Sequence, residues 1–264
     1  MYKLRQSALG DYERCSFLGA DLWGTIGNPE VNKSDQVRNK YNETGIIFHE
    51  VMEYWGVNAI KGNRCSLEEL HELLESKMQE SPEEYYDVGE KEKYIESLHE
   101  QLEWAWEQCL LDTLTPIGVE VTFDISDVIE GVIPVTGTID RISGDLKNKQ
   151  VRLEDYKTGK VYTKKELSNN MQACLYSLAF YKQFGFLPEE FVFYFTKFKK
   201  IKVVKITPDF LKEGMARILA VYQKIKDGDT KPDNTNRYFC NHFCESKKRC
   251  PLFQKKNNNW DKVG

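Results

Sequence analysis

Two short stretches carry residue types that can do chemistry together: Gly137-Thr-Ile-Asp140-Arg-Ile, and Leu153-Glu-Asp155-Tyr-Lys157-Thr-Gly-Lys160. On an extended strand, residues two apart face the same way. Asp155 and Lys157 therefore project together while Tyr156 points away. A turn beginning at Ser143-Gly144-Asp145 separates the stretches, and hairpin pairing across it would bring Asp140 beside Asp155, in a register the sequence does not fix. Two carboxylates flanked by a lysine on one sheet face make a site for a hard divalent cation. Such a cation polarises a phosphodiester and lowers the pKa of a bound water. The lysine then orients the attacking water and stabilises charge developing on the phosphate. The same residues also suit a surface hairpin with a cross-strand ion pair worth ~0–1 kcal/mol. Asp-x-Lys alone does not separate these readings.

A second constellation closes the chain: Cys240-Asn-His-Phe-Cys244-Glu-Ser-Lys-Lys-Arg-Cys250-Pro. Three cysteines within eleven residues of a polar segment are a metal-ligand signal and need a fourth ligand. Seven cysteines in all is an odd number, which a disulfide framework does not favour. Their spacing points to a metal site in a reducing compartment and hence to a cytoplasmic protein. Zn²⁺ held by thiolates, or by thiolates with His242 replacing one of them, fits these residues. Cys65, Cys109 and Cys174 fall on helical segments and read as small buried apolar residues.

The elements that must position these groups follow from periodicity. Residues 3–22 read as a helix, a polar loop follows over 27–43, and a second helix starts at Thr44 as N-cap and runs through Trp55. Residues 66–112 read as two helices broken near Ser81-Pro82. The period then changes from 3.6 to 2: Val119, Val121, Phe123 and Ile125 alternate with Glu120, Thr122 and Asp124. Further strands are expected over 132–142, 150–157, 190–197 and 201–206. Helices are expected over 165–184 and from Pro208 to about 226, and the stretch Asn257-Asn258-Asn259 reads as frayed. The order implies an α/β core of about five strands with a helical insertion at 57–115.

The chain has 264 residues, 41% hydrophobic and 30% charged, with a mean hydropathy of −0.57. That suffices for one sizeable core, and no apolar run reaches the ~18–20 residues that cross a bilayer. The net charge of −4 conceals an asymmetry. Residues 66–100 hold twelve acids and three lysines, or −9; removing that from −4 leaves +5 for the remainder. Two basic stretches stand out. Lys199, Lys200 and Lys202 lie in Thr196–Lys205, beside Tyr194, Phe195 and Phe198. Arg237, Lys247, Lys248, Arg249, Lys255 and Lys256 lie near the late cysteines. Lysines interleaved with aromatics suit a groove that tracks a nucleic-acid backbone, although a solvated strand face has the same pattern.

Taken in chain order, these stretches resemble the PD-(D/E)xK nuclease superfamily in its RecB-type exonuclease branch. Gly-x-Ile-Asp140-Arg and Asp155-Tyr-Lys157-Thr-Gly are similar to its second and third motifs. Gly45-Ile-Ile-Phe-His49-Glu resembles its histidine helix, Glu120 its preceding glutamate strand, and Gln172-Ala-Cys-Leu-Tyr176 its Gln-x-x-x-Tyr helix. Asp11-Tyr-Glu-Arg-Cys15-Ser-Phe, with the late cysteines, resembles the CRISPR-associated and AddB-like iron–sulfur nucleases. Three residues rather than two separate Cys240 from Cys244, and Ser16 stands where that family often has proline.

The resemblance implies a restriction-endonuclease-like mixed sheet flanked by helices, in a single nuclease domain over 1–264. Asp140, Asp155 and the Tyr156 carbonyl would ligate Mg²⁺ or Mn²⁺, with His49 as a further ligand or water-positioning group and Lys157 as the catalytic lysine. Glu53, four residues after His49, would hold the imidazole tautomer, and Gln172 and Tyr176 would hold the DNA strand. Cys15, Cys240, Cys244 and Cys250 would bind a [4Fe-4S] cluster in a module formed by 231–256 with Cys15, with Zn²⁺ as the alternative. The implied activity is hydrolysis of single-stranded or end-exposed DNA, with recombination, repair or CRISPR-adaptation proteins as partners. Two other functions stay open: a nuclease-like module that grips DNA or a partner without cutting, and an iron–sulfur redox or sensing protein.

Overall fold

The computed structural model describes residues 4–26, 39–125, 134–233 and 235–256; for Lys255 and Lys256 it describes the backbone alone. Most of the polar loop expected over 27–43, the first residues of the strand expected from 132, and Asn257–Asn259 lie outside the described residues. The chain divides into two compact units. One comprises Met1–Val37, Asp124–Gly137 and Lys212–Gly264; the other comprises Arg38–Phe123 and Thr138–Leu211.

The second unit holds His49, Glu120, Asp140, Asp155 and Lys157. Its helices are α3 (Lys40–Ile60), α4 (Leu67–Glu80) and α5 (Lys91–Leu111), then α6 (Lys164–Ser168) and α7 (Met171–Phe184). In the first unit, β1 (Leu4–Arg5), α1 (Gln6–Arg14) and α2 (Ser16–Trp23) open the chain. Most of α8 (Pro208–Lys226), then α9 (Arg237–His242) and α10 (Pro251–Lys256), close it. The strands are β2 (Pro116–Ile125), β3 (Val135–Asp145), β4 (Gln150–Lys157), β5 (Glu190–Phe195) and β6 (Lys200–Lys205). They form a six-stranded mixed sheet in the order β1-β3-β4-β5-β6, with β2 also on β3. This is the expected α/β architecture, with a short sixth strand, β1, beyond the five anticipated. β3 and β4 pair antiparallel with Arg141 opposite Glu154, a register that carries Asp140 opposite Asp155. β4 and β5 run parallel, with Asp155 beside Phe193.

The sheet is sided. Tyr156, Val192 and Tyr194 join Phe48, Val51, Trp55, Leu70, Leu74, Leu98 and Leu102 in one buried cluster, so α3, α4 and α5 cover that face. The apolar stripe of α3 recurs at Ile47, Phe48, Val51, Met52 and Trp55, the 3.6-residue period of a half-buried helix. On the other face Tyr176 of α7 stacks against Phe191 and Phe123, at 5.9 and 5.0 Å between centroids.

Several boundaries differ from expectation because local hydrogen bonding competes with periodicity. α3 begins five residues early: Asn39 rather than Thr44 is its N-cap, its side chain accepting from the Tyr41 and Asn42 N–H groups, while the Thr44 hydroxyl bonds back to the Lys40 carbonyl. The helix expected over 165–184 is two. Thr163 and Glu166 form a capping box for α6, and Asn170 starts α7 by accepting from the Ala173 N–H. The helix expected over 3–22 breaks at Cys15, whose backbone is extended (φ −163°, ψ 118°) between α1 and α2.

Candidate active site and metal centre

The β3–β4 hairpin presents Asp140, Asp155 and Lys157 on one face. Asp155 is buried, and its two oxygens are engaged: Lys157 Nζ lies 2.7 Å from one, and Gln172 Nε2 donates to the other at 2.5 Å. Gln172, expected at the DNA, thus reaches its carboxylate from the first turn of α7. Tyr176 is 5% exposed and packs between strands one turn later. Asp140 accepts the Tyr156 N–H at 2.8 Å, and the same oxygen lies 3.3 Å from His49 Nδ1 of α3.

Glu120 completes the group. Ligand atoms of His49, Glu120 and Asp140 all lie within 4.8 Å of one another. Glu120 occupies a left-handed backbone conformation (φ 48°) within β2. A non-glycine residue pays of order 1–2 kcal/mol for that geometry. The sequence alternation of β2 holds for Thr122 through Ile125 and fails at Glu120, which is half-buried. The distortion turns a residue expected to face solvent toward His49. α3 itself comes close to β2 because Gly56 meets Val119: a Cβ at Gly56 would stand 2.6 Å from a Val119 methyl carbon. An open cleft of about 410 Å³ borders the cluster, lined by α3 from Tyr41 to Glu53 and by Glu120.

The carboxylates of the cluster raise one another's pKa values. Burial, then the neighbouring Asp140 charge, push Glu120 up to about 7. Burial, then Asp155, push Asp140 up to about 6. Burial works against the Lys157 charge, yet Asp155, Tyr162 and Asp140 hold its ammonium well above the usual lysine range. Carboxylates whose ionised forms are penalised by one another, converging with an imidazole on a solvent-open cleft, fit a divalent cation that would relieve the repulsion. Glu53 lines the same cleft and adds negative charge near Glu120.

The opposite face of the hairpin was not anticipated. Arg141, 2% exposed, pairs with fully buried Glu154 and donates to Cys109 Sγ at 2.7 Å. Arg152 also pairs with Glu154 and with Asp112. The Arg141 guanidinium stacks 5.3–5.5 Å from the ring centroids of Trp55, Tyr156 and Tyr194. The signal was available: on a strand, Arg141 and Glu154 must face away from Asp140 and Asp155. A buried face then requires opposite charges to meet.

The four expected cluster cysteines all belong to the first unit. The Cys15 thiol accepts the Asp233 N–H at 3.3 Å, and the Cys240 thiol donates to the Asp233 carbonyl at 3.7 Å. Burial, and then Cys15 and Cys250 among its charged neighbours, raise the Cys240 thiol; Cys244 is raised similarly, with Cys240, Cys15 and Cys250 close by. Lys199, Lys200 and Lys202 lie on the turn into β6 and on that edge strand, where exposed lysines also discourage strand pairing. Among the described residues, no helix is long and apolar enough to cross a membrane.

No curated protein matches the chain. A crystal structure of a Eubacterium rectale protein, provisionally named an exonuclease, shares its fold. The two are 11% identical, with a TM-score of 0.51, over 94% of this chain and 88% of that one. The PD-(D/E)XK nuclease superfamily model matches residues 6–251, nearly the whole chain and all of the hairpin, α3 and α7 residues described above; the chain belongs to that superfamily.

Proposed function

We propose that the chain is a divalent-metal-dependent deoxyribonuclease, acting as an exonuclease on single-stranded or end-exposed DNA. The observation that carries this reading is the convergence of His49, Glu120 and Asp140 beside the Asp155–Lys157 pair. His49, Glu120, Asp140 and Asp155, with the Tyr156 carbonyl, would hold Mg²⁺ or Mn²⁺, which when bound supplies Lewis-acid polarisation and an acidified water. Lys157, fixed by Asp155, places a permanent positive charge where the phosphate accumulates negative charge. Gln172 fixes the other Asp155 oxygen, so the carboxylate cannot rotate away. The Tyr156 N–H does the same for Asp140. Tyr176 lies behind this pair, and Lys199, Lys200 and Lys202 offer a path for the DNA backbone. The partners this activity suits are proteins of recombination, repair or CRISPR adaptation.

Cys15, Cys240, Cys244 and Cys250 form the second part of the reading, a [4Fe-4S] site with Zn²⁺ as the alternative. Their support is the gathering of both chain ends of the first unit around Asp233. Protein purified without oxygen is expected to be brown, and Cys15→Ser to lose the colour as Cys244→Ser does; colourless protein with stoichiometric zinc would select the alternative.

Cleavage of labelled single-stranded and duplex DNA with Mg²⁺, Mn²⁺ or EDTA tests the activity. Lys157→Ala should lose ~10²–10³-fold in rate while still binding DNA. Equal cutting by that variant would overturn the assignment. Binding without metal-dependent cutting in the wild type would favour a gripping module instead.

A further inference from the structure

One face of α3 carries Tyr41, Gly45, His49 and Glu53 at four-residue intervals, and all four line the open cleft with Glu120. The metal centre uses the later two; the earlier two have no role yet. Tyr41 is 63% exposed, but its ring is anchored. Its edge packs on the Tyr94 ring of α5, at 6.1 Å between centroids and 77° between planes. The Lys40 ammonium lies 5.7 Å from the Tyr41 centroid and is itself held by Glu90 and Asp87. An aromatic ring fixed at its edge, with most of its surface open to solvent, is a platform on which a nucleic-acid base can stack.

Gly45 leaves the stretch of helix between that ring and His49 without a side chain. Within 4 Å, a Cβ there would meet only Thr158 Oγ1, at 3.5 Å, which is ordinary contact. Packing therefore does not require glycine at this position, and glycine in mid-helix is less stable than alanine. What it provides is a recess, bordered by Tyr41 and His49 along α3 and by the Thr158 hydroxyl just after β4.

Charge decides how a strand would lie in it. The α3 wall brings Glu50 and Glu53 to the cleft and no lysine or arginine. That wall repels phosphate and tolerates a neutral base. Lys157 and Thr158, consecutive at the end of β4, offer a cation and a hydroxyl donor to phosphate instead. Tyr41 stands about 12 Å from His49 along the helix axis. A strand with a phosphate at the metal centre can thus lay a nearby base on the ring.

We propose that Tyr41, Gly45 and Thr158 form a seat for single-stranded DNA beside the metal centre. Tyr41 stacks an unpaired base, Gly45 gives it room, and the Thr158 hydroxyl donates to the adjoining phosphate. The seat rests on the proposed function, in that DNA must enter this cleft. Bases inside a duplex are covered on both faces by their neighbours, so the seat selects single strands and frayed ends.

The test measures anisotropy of a labelled thymidine oligonucleotide and of a blunt duplex on the full-length protein, with Ca²⁺ as the hard cation. Cleavage of both is followed separately with Mg²⁺. Tyr41→Ala should weaken single-strand binding roughly 5- to 100-fold, the effect of losing one base–aromatic stack, and leave duplex binding unchanged. Tyr41→Phe should bind as the wild type does. Gly45→Leu should melt no lower than the wild type and still lose single-strand binding, which a merely structural glycine would not do. Thr158→Val keeps the shape and should lose a smaller factor; a wild-type value would remove Thr158 from the seat. If the protein cuts DNA but Tyr41→Ala binds single strands normally, the seat is wrong and the nuclease reading stands. If the wild type binds single strands through Tyr41 without cutting them, the nuclease reading fails and the seat stands. Protein that neither binds nor cuts overturns both. Self-association lost in Tyr41→Ala, with DNA binding intact, would make the ring a contact between copies and overturn the seat.

Discussion

The two faces of the β3–β4 hairpin are built from neighbouring residues and solve opposite electrostatic problems. On one, Arg141, Arg152, Glu154 and Asp112 are sealed under α3 and α5, with the charges neutralising one another. On the other, Asp140, Asp155 and Glu120 gather more negative charge than Lys157 offsets, and the surplus opens onto a cleft. The first face is complete without a ligand. The second carries unbalanced negative charge, which the proposed cation would offset. A single residue's step along a strand therefore separates a neutralised ion network from one with surplus negative charge.

The largest expected effect breaks the sealed face. Glu154→Ala strands two arginines in a nearly dry site and should cost about 3–5 kcal/mol in denaturant unfolding. Asp140→Asn removes surplus charge from the other face. Measured in EDTA, it should leave stability unchanged or raise it. A large loss from Asp140→Asn would show that both faces are internally balanced and dissolve the contrast.

Acidity sharpens the same comparison. Glu120 and Asp140 titrate near 7 and 6, above their unfolded values of 4.5 and 3.8. The folded, metal-free protein thus binds these two protons more tightly than the unfolded chain does. Their ionisation costs stability above pH 7, and that cost is relieved as pH falls through 6 toward 4. A cation needs both groups ionised. Mn²⁺ affinity by calorimetry should therefore fall from pH 7.5 to 5.5, approaching tenfold per pH unit for each proton displaced. A flat profile would mean that these carboxylates are not the ligands.

Gly56→Ala probes what holds the open face together. The new methyl group meets Val119, and overpacking of this kind costs ~1–3 kcal/mol. Because Val119 adjoins Glu120, cleavage should fall by more than the stability loss explains. Activity that tracks stability alone would separate Glu120 from the reacting centre.

The smallest effect concerns the DNA path. Neutralising Lys199, Lys200 and Lys202 should flatten the salt dependence of binding, by up to ~0.7 in slope per lost phosphate contact on single strands. Neutralising Glu68, Glu69 and Glu72 of the acidic α4 should leave the slope unchanged. The opposite result, read from titrations at several salt concentrations, would place the DNA along the acidic helices.

How much of this was legible before folding depends on the range of the interactions. The period-2 pattern around Asp155 and Lys157 put both on one face, and the turn near Asp145 implied a hairpin, whose register, with Asp140 across from Asp155, came only from the structure. The shared face is a local consequence of strand geometry, as is the stripe that turns Phe48 and Val51 of α3 into the core. Periodicity misjudged element ends where Asn39, Asn170 and Thr163 offered competing side-chain hydrogen bonds.

What the chain's order of residues settled by itself is which groups share a strand or helix face, because alternation and helical period act within a few residues. Which faces meet was decided only by tertiary structure. The left-handed backbone that turns Glu120 toward His49, the reach of Gln172 to Asp155 and the closure of Arg141 on Glu154 all join elements distant in sequence or strain the backbone locally. Each depends on how helices and strands pack. Packing energy, summed over many contacts, can override the preference of any single residue.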